Sequence, residues 1–309
     1  MDILKVGQIN YSANTLSDIL PIPRDFPLHG LNCYLTLTGN TGSSVSPDPE
    51  APASIIKRIE FIADGESIVN VDGESIAMLP YFFRKIAPVK TINTTTSQTG
   101  VVIGTLDFEL LFDAVGLHPD ILSVLMSGAY NHLGLRVLWG ASSDLGTGYT
   151  VSSGTLEVCS MPEYYLAVKS PVLKRVKTKS EIITASQGDY KFKLPTNGLY
   201  QYVLLKCERG GLPVNDMINR ISIWLGGTAY KAKDVSYAQW QANVKYLHRL
   251  NTLPDGYVLV DLTNASGSWR DLFNANLLSD FAIELDLTYQ SGSTNQLKAT
   301  YCFYDKYPR

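Results

Sequence analysis

The chain has 309 residues, of which 45% are hydrophobic, and its 26 Lys and Arg against 29 Asp and Glu give a formal net charge of -3. This length can form one large β domain or two domains of about 150 residues each. The slightly acidic balance argues against a protein whose main task is to neutralise nucleic-acid phosphates, so we expect no sequence-specific nucleic-acid partner.

The cysteines and the first residues indicate the compartment in which the chain folds. The four cysteines are scattered singly, whereas disulfide frameworks are expected mainly in short secreted chains. The first residues lack a charged stretch followed by an apolar run, and no apolar segment reaches 18 residues. We therefore expect reduced thiols, folding in a cytosol and no membrane span.

Apolar and polar residues alternate with a period of two in several segments, which is the pattern of strands with one buried face. The segments with this pattern are 31–37, 106–112, 133–139, 281–289 and 297–303. Between strands lie pairs of residues that suit tight turns, namely Asp64-Gly65, Asp72-Gly73, Gly226-Gly227 and Asp255-Gly256. The sequence predicts a mainly antiparallel, all-β protein built from sandwiches or jelly rolls.

Two short helices are predicted between strands. The segment 118–130 has Pro119 at the first helical position and Asp120 in the first turn, and both residues are favourable at a helix N-terminus. A second helix is predicted to begin near Ser268, because Ser268 and Asp271 have the spacing of a capping box.

The chain also contains a weak internal duplication, with four matches in the same order. The first match is the pattern P-x-x-G-L-x-x-Y, which begins at Pro27 and again at Pro195. The other matches pair 58–61 with 220–223, 118–139 with 268–289, and 156–164 with 299–307. Chance can produce any one of them, but their shared order predicts two similar β barrels.

The duplication predicts an N-terminal jelly roll over 1–165 and a C-terminal jelly roll over 189–309. Each is expected to have eight strands, with short helices between strands. The connector over 166–188 carries the only dense basic run of the sequence. Its basic residues are Lys169, Lys174, Arg175, Lys177 and Lys179.

Catalytic and metal-binding motifs are missing from the sequence. The four histidines have no H-x-H or H-E-x-x-H spacing, and neither a glycine-rich phosphate loop nor a G-x-S-x-G elbow occurs. The Asp-Gly-Glu triplets at 64–66 and 72–74 could offer carboxylates to calcium, but they equally suit two hairpin turns, which we favour. We expect no enzyme activity and no cofactor or metal site.

Tyrosine and cysteine provide the remaining candidate contacts. The chain has 18 tyrosines, and tyrosine combines apolar area with a polar tip, as partly dry interfaces require. Tyr34, Tyr202 and Tyr304 are candidates for subunit or barrel contacts, although tyrosine is also a good strand former. Cys159 and Cys302 occupy equivalent positions in the two halves, which duplication explains better than a disulfide, so free thiols are predicted.

The segments 58–83 and 101–140, together with their second-half counterparts, resemble the double-jelly-roll major capsid proteins of adenovirus-like viruses and of tailless phages with an internal membrane. The resemblance spans nearly the whole chain and rests on pattern, without an invariant motif. In its compact size the chain is most similar to the capsid proteins of small lipid-containing bacteriophages, including those that infect Flavobacterium.

This resemblance implies a structural protein that forms a homotrimer, whose six barrels make a pseudo-hexagonal tile of an icosahedral virion shell assembled in the host cytoplasm. Its partners would be further copies of itself, penton and minor capsid or spike proteins, and an internal lipid membrane. The basic run could then attract anionic lipid headgroups, or it could be a solvated linker. The chain lacks room for long tower insertions, which implies a low outer surface.

Two other functions are compatible with a β-sandwich sequence. A carbohydrate-binding or carbohydrate-active protein needs only suitably spaced carboxylates, which sequence cannot locate. A viral spike or minor coat protein would share the fold but occur in fewer copies per particle.

Overall fold

The computed structural model describes residues 3–112, 124–164, 172–226, 231–263 and 272–306. The chain divides into two compact units. The first comprises Met1–Lys177 together with Lys306–Arg309, and the second comprises Thr178–Asp305. The division falls inside the predicted connector, where residues 172–183 form a strand.

The first unit contains a series of strands and one longer helix. The strands are β1 (Leu4–Asn10), β2 (Leu20–Pro21), β3 (Leu28–Pro47), β4 (Ile56–Ala63), β5 (Glu66–Val71), β6 (Val89–Ile92), β7 (Val101–Leu111), β8 (Leu133–Trp139) and β9 (Gly146–Pro162). The helix α1 (Gly73–Arg84) follows β5.

These strands form two sheets with the orders β1-β9-β3-β7-β6 and β2-β8-β4-β5. Strand β3 shows why the sequence alternates: Leu31, Cys33 and Leu35 are fully buried, while Tyr34 between them is exposed. The ring of Phe61 on β4 contacts that of Phe112, with centroids 4.7 Å apart. The core of this unit therefore consists of the inward-facing residues of its strands.

The second unit begins within β10 (Val172–Ile183), whose residues 172–177 belong to the first unit. Val176 and Lys177 of this strand pair in parallel with β5. The strands that follow are β11 (Gln187–Leu194), β12 (Leu199–Arg209), β13 (Leu212–Pro213), β14 (Ile218–Leu225), β15 (Lys231–Ser236), β16 (Tyr257–Asp261), β17 (Phe273–Asn274), β18 (Phe281–Leu287) and β19 (Asn295–Lys306). The helix α2 (Tyr237–His248) follows β15.

The strand order of the second unit repeats that of the first. One sheet contains β10-β19-β12, with β16 also paired to β12, and the other has the order β11-β18-β14-β15. Strand by strand these correspond to β1-β9-β3-β7 and β2-β8-β4-β5. Each unit is therefore a jelly roll in which eight equivalent strands form two sheets, as the duplication predicted.

Each unit has a helix directly after an antiparallel strand pair, with α1 after β4-β5 and α2 after β14-β15. Both helices were missed by the sequence analysis. Asp72 accepts a hydrogen bond from the backbone N–H of Ser75 at 2.7 Å and caps α1. Ser236 caps α2 by accepting from the N–H of Gln239 at 3.3 Å. The prediction that Asp72-Gly73 forms a hairpin turn is therefore wrong, because the carboxylate of Asp72 instead satisfies a free helix N–H group.

The predicted helices fall largely outside the described residues. In the segment 118–130, residues 118–123 are not described, and Ser127–Ala129 forms a single turn of 3-10 helix. The segment 264–271, which contains the predicted start at Ser268, is likewise not described. Among the described residues, no helix is both long enough and apolar enough to span a membrane.

The repeated P-x-x-G-L pattern has a physical cause in both units. A Cβ on Gly30 would lie 2.4 Å from the carbonyl oxygen of Leu110, which leaves no room for a side chain. Gly198 has a φ of +124°, and a Cβ there would lie 2.7 Å from Phe303. Glycine is required at both strand starts because a neighbouring strand approaches closely.

Candidate assembly surfaces

The outer face of the five-stranded sheet in the first unit carries a row of polar residues around Tyr34. Tyr34 on β3 lies directly opposite Asp107 on β7 and Glu157 on β9. The side chain of Tyr34 is 42% exposed, and the ammonium of Lys5 donates to Glu157 Oε1 at 3.2 Å. Tyr34 therefore lies between two carboxylates, one of which is paired with a lysine.

The next row on this face is neutral. It crosses four strands through Thr91, Thr105, Thr36 and Thr155. The hydroxyl oxygens of Thr91 and Thr105 are 2.7 Å apart, so the two side chains are hydrogen-bonded. Charged groups are therefore concentrated beside Tyr34 and α1, whereas the neighbouring row of threonines carries hydroxyl groups.

A groove lies where α1 ends against β6 and β7. We call it the α1–β6 groove and define it by Ile86, Pro88, Val89, Asp107 and Glu109. It holds about 140 Å³, which is below the range of roughly 300–1,000 Å³ typical of small-molecule sites. Ile86 and Val89 are 48% and 59% exposed. The groove is suited to a protein side chain with apolar and cationic parts.

Helix α1 and its C-terminus form one side of this groove. Arg84, in the last turn, donates to Glu109 at 2.5 Å. Lys85 then adopts the left-handed conformation with a φ of 58°, which ends the helix and turns the chain toward β6.

The last turn of α2 presents a projecting surface on the second unit. We call it the α2 tip and define it by Lys245, Tyr246, Leu247 and Arg249. Tyr246 is 83% exposed and Leu247 is 57% exposed. All four residues are exposed or nearly so because the buried stripe of the helix runs through other positions. That stripe consists of Tyr237, Trp240 and Val244.

The position of α2 is fixed by buried polar contacts. The Trp240 indole N–H donates to the carbonyl oxygen of Leu259 at 2.8 Å. His248 Nε2 lies 3.1 Å from Oδ2 of Asp261 on β16. Burial raises the pKa of the Asp261 carboxyl, but hydrogen bonds from His248 and Thr263 outweigh it, so its pKa is lowered overall. The spacing of these residues in the sequence gave no signal of this pair.

The outer face of the sheet β11-β18-β14-β15 carries a charged network. Glu284 on β18 is only 2% exposed and forms an ion pair with Lys231, with Arg220 3.9 Å away. The hydrogen bond to Glu284 raises the pKa of the Lys231 ammonium. Beside this network, the ammonium of Lys191 lies 3.8 Å from the ring centroid of Trp224. This face is rich in paired charges.

The predicted basic run does not form one exposed patch in this chain. Lys169 lies outside the described residues, while Lys174 and Arg175 are 5% and 6% exposed within β10. Arg175 makes two hydrogen bonds to Glu66, at 2.6 and 3.1 Å. The more accessible members are Lys177, which is half-buried, and Lys179, which is exposed and lies 4.8 Å from the Phe192 ring centroid.

The three tyrosines proposed as contacts have different environments. Tyr34 is exposed, as described above, whereas Tyr202 and Tyr304 are 3% and 1% exposed. Tyr304 donates to Gln201 Oε1 at 2.8 Å. Tyr202 and Tyr304 are therefore buried within a single chain, and of the three tyrosines only Tyr34 has an exposed side chain.

The aspartates of the two Asp-Gly-Glu triplets accept backbone hydrogen bonds. Asp64 accepts hydrogen bonds from the backbone N–H groups of Asn131 and His132, which lower the pKa of its carboxyl. The pair Asp64-Gly65 forms the tight turn between β4 and β5, with φ values of 46° and 85°.

All four cysteines are free thiols, and burial raises the pKa of Cys207 to about 12, so that thiol is inert at neutral pH.

The chain has the fold of viral double-jelly-roll proteins. The major capsid protein of STIV matches with a TM-score of 0.72 and 14% identity, covering 99% of this chain and 98% of that chain. A chain from the atomic structure of Sulfolobus turreted icosahedral virus matches with a TM-score of 0.77 and 14% identity, covering 99% and 92%. The major capsid protein of bacteriophage PM2 matches with a TM-score of 0.63 and 11% identity, covering 100% and 98%.

No protein-family model matches the sequence, and no curated protein matches it. The similarity to the solved structures is therefore one of fold, spread over the whole length of both chains.

Proposed function

We propose that this protein is a major capsid protein, which assembles with further copies of itself into the shell of a virus. The observation that carries the proposal is the double-jelly-roll fold, which matches the STIV and PM2 capsid proteins over nearly their full lengths. Its role is then structural rather than enzymatic: the protein acts by burying complementary surfaces between copies.

The assembled unit in this proposal is a homotrimer. Three copies bring together six jelly rolls of equivalent topology, which gives a tile with pseudo-sixfold outline that can pack with six neighbours. Such tiles would form an icosahedral shell, completed by penton and minor capsid or spike proteins in the virion. The two units of one chain support this proposal because their equivalent strands have the same order.

We further propose that the virus is a bacteriophage with an internal lipid membrane beneath the shell. Anionic headgroups would attract lysines at the inner surface of the shell, each contributing about 1 kcal/mol. Lys177 and Lys179 are the accessible candidates, whereas Lys174 and Arg175 are buried. We also propose assembly in the host cytoplasm, which the four free thiols support because disulfides persist mainly in oxidising compartments.

The test is the mass of the purified protein in solution by light scattering, followed by electron microscopy of larger particles. We expect a species of three times 34.0 kDa, and closed shells when the protein is concentrated with lipid. A stable monomer that never assembles under these conditions would contradict the proposal and favour the carbohydrate-binding alternative. Binding to a panel of oligosaccharides by calorimetry then tests that alternative directly.

A further inference from the structure

We propose that the α2 tip of one copy docks into the α1–β6 groove of the next copy, and that this contact holds the trimer together. The inference rests on the proposed self-assembly and specifies which surfaces meet. The tip belongs to the second unit of one chain, and the groove belongs to the first unit of its neighbour.

Charge complementarity is the first argument. The groove is lined by Asp107, Glu109 and Arg84, and because Arg84 is paired with Glu109, the carboxylate of Asp107 supplies its excess negative charge. The tip presents Lys245 and Arg249, and the residues 245–249 contain no carboxylate. Opposite potentials at two surfaces favour encounter and fix their register.

The apolar surfaces match as well. Tyr246 and Leu247 are adjacent residues that are 83% and 57% exposed, although both would gain from burial. In the groove, Ile86 and Val89 are about half exposed, and Pro88 lies between them. Interfaces favour an aromatic anchor in a pocket with a polar rim. A tyrosine with flanking cations fits a small apolar groove bordered by carboxylates.

Such a contact is compatible with the proposed homotrimer. The tip and the groove are different surfaces, so the contact is heterologous, and each copy both donates a tip and receives one. A heterologous contact either closes into a ring or continues as a filament. In the proposed homotrimer, three copies related by 120° would form such a ring and leave no tip or groove unused.

The first experiment is a charge exchange, followed by sedimentation over a range of protein concentrations. Lys245→Glu and Asp107→Lys each place like charges in the contact, and we expect each to raise the trimer dissociation concentration at least tenfold. The double variant K245E/D107K restores opposite charges and should recover most of the affinity. Leu277→Ser is the matched control, because Leu277 is 82% exposed on the same unit and lies outside the tip.

The second experiment is disulfide trapping with Leu247→Cys and Val89→Cys. A chain carrying both substitutions should form a covalent trimer on oxidation, because each copy is joined to both neighbours. A mixture of the two single variants should form only cross-linked pairs. The unsubstituted chain, with its four native thiols, is oxidised alongside.

The outcomes separate the two proposals. If the unsubstituted protein never self-associates, the capsid proposal fails and this inference fails with it. If it forms trimers that ignore the charge exchange and give no cross-link between positions 247 and 89, only the docking contact is overturned. A cross-link between two chains that both carry L247C would show that α2 tips meet each other, which also overturns it.

Discussion

His248 Nε2 lies 3.1 Å from Oδ2 of Asp261, and this pair joins the end of α2 to strand β16. Thr263 donates two more hydrogen bonds to the same carboxyl group, through its backbone N–H at 2.8 Å and its hydroxyl at 2.7 Å. These bonds keep the pKa of Asp261 below the ordinary value of 3.8, although burial acts in the opposite direction. The folded state therefore favours the ionised form of Asp261 over the protonated form.

The lowered pKa of Asp261 makes the stability of the second unit depend on pH. A carboxyl whose folded pKa is lowered stabilises the fold above its unfolded pKa, and this contribution is lost as the pH falls through the folded value. Asp261→Asn should lower the free energy of unfolding by about 2 kcal/mol at pH 6. The difference from the parent should shrink progressively below about pH 4.

The urea midpoints of Asp261→Asn and of the parent are measured by tryptophan fluorescence at pH values from 3 to 7. Asp18→Asn is the control, since Asp18 is an exposed aspartate of the first unit. A difference between Asp261→Asn and the parent that stays constant down to pH 3 would exclude this origin of the effect.

The two helix caps provide a test of the equivalence of the units. Asp72→Ala and Ser236→Ala each remove the side chain that accepts a hydrogen bond at a helix N-terminus, and each should cost about 1 kcal/mol. Asp72→Ser keeps an accepting oxygen and should cost much less. Thermal unfolding followed by calorimetry measures these losses. A cost of more than about 3 kcal/mol would mean that Asp72 has a role beyond capping.

Some of the strands could be predicted from the sequence, because a strand with one buried face alternates with a period of two, as β3 and β7 do, whereas β12 is buried on both faces. The segments around Leu35, Leu106 and Val137 are buried strands as expected. Helix α1 was missed because Asp72-Gly73-Glu74 has the composition of a turn. An aspartate that caps a helix cannot be distinguished by composition from an aspartate that forms a turn. Helix α2 had a readable signal, since Ser236 and Gln239 have the spacing of a capping box.

The candidate surfaces could not be predicted in this way. Asp107 and Val89 are neighbours only because β6 pairs with β7 in one particular register, and sequence alternation does not determine which strands pair. The exposure of Tyr246 depends on how α2 rests on β16, which the helix pattern does not reveal. The basic run was visible, but pattern alone could not show that Lys174 and Arg175 lie on a strand with both faces covered.

The repeated glycines give a third prediction. Gly30→Ala would place a methyl group 2.4 Å from a carbonyl oxygen of β7, and Gly198→Ala would also strain a positive φ. Each should destabilise its unit by about 2 kcal/mol through forced backbone movement. Gly188→Ala is the control, because a Cβ there meets no atom within 4 Å and should change stability by less than about 0.5 kcal/mol. Urea titration of the three variants compares them directly.

The buried Glu284 gives the last prediction, because its ion pair with Lys231 lies on a sheet face where the carboxylate is 2% exposed. Lys231→Met removes the cation and leaves the buried charge with Arg220 at 3.9 Å as its remaining close partner on this face. It should therefore lower the urea midpoint more than Glu284→Gln, which removes the charge itself. The double variant K231M/E284Q should regain most of the loss caused by K231M. If the two single variants lower the midpoint equally and their effects add in the double variant, then Glu284 and Lys231 are not energetically coupled, and the network contributes only its packing.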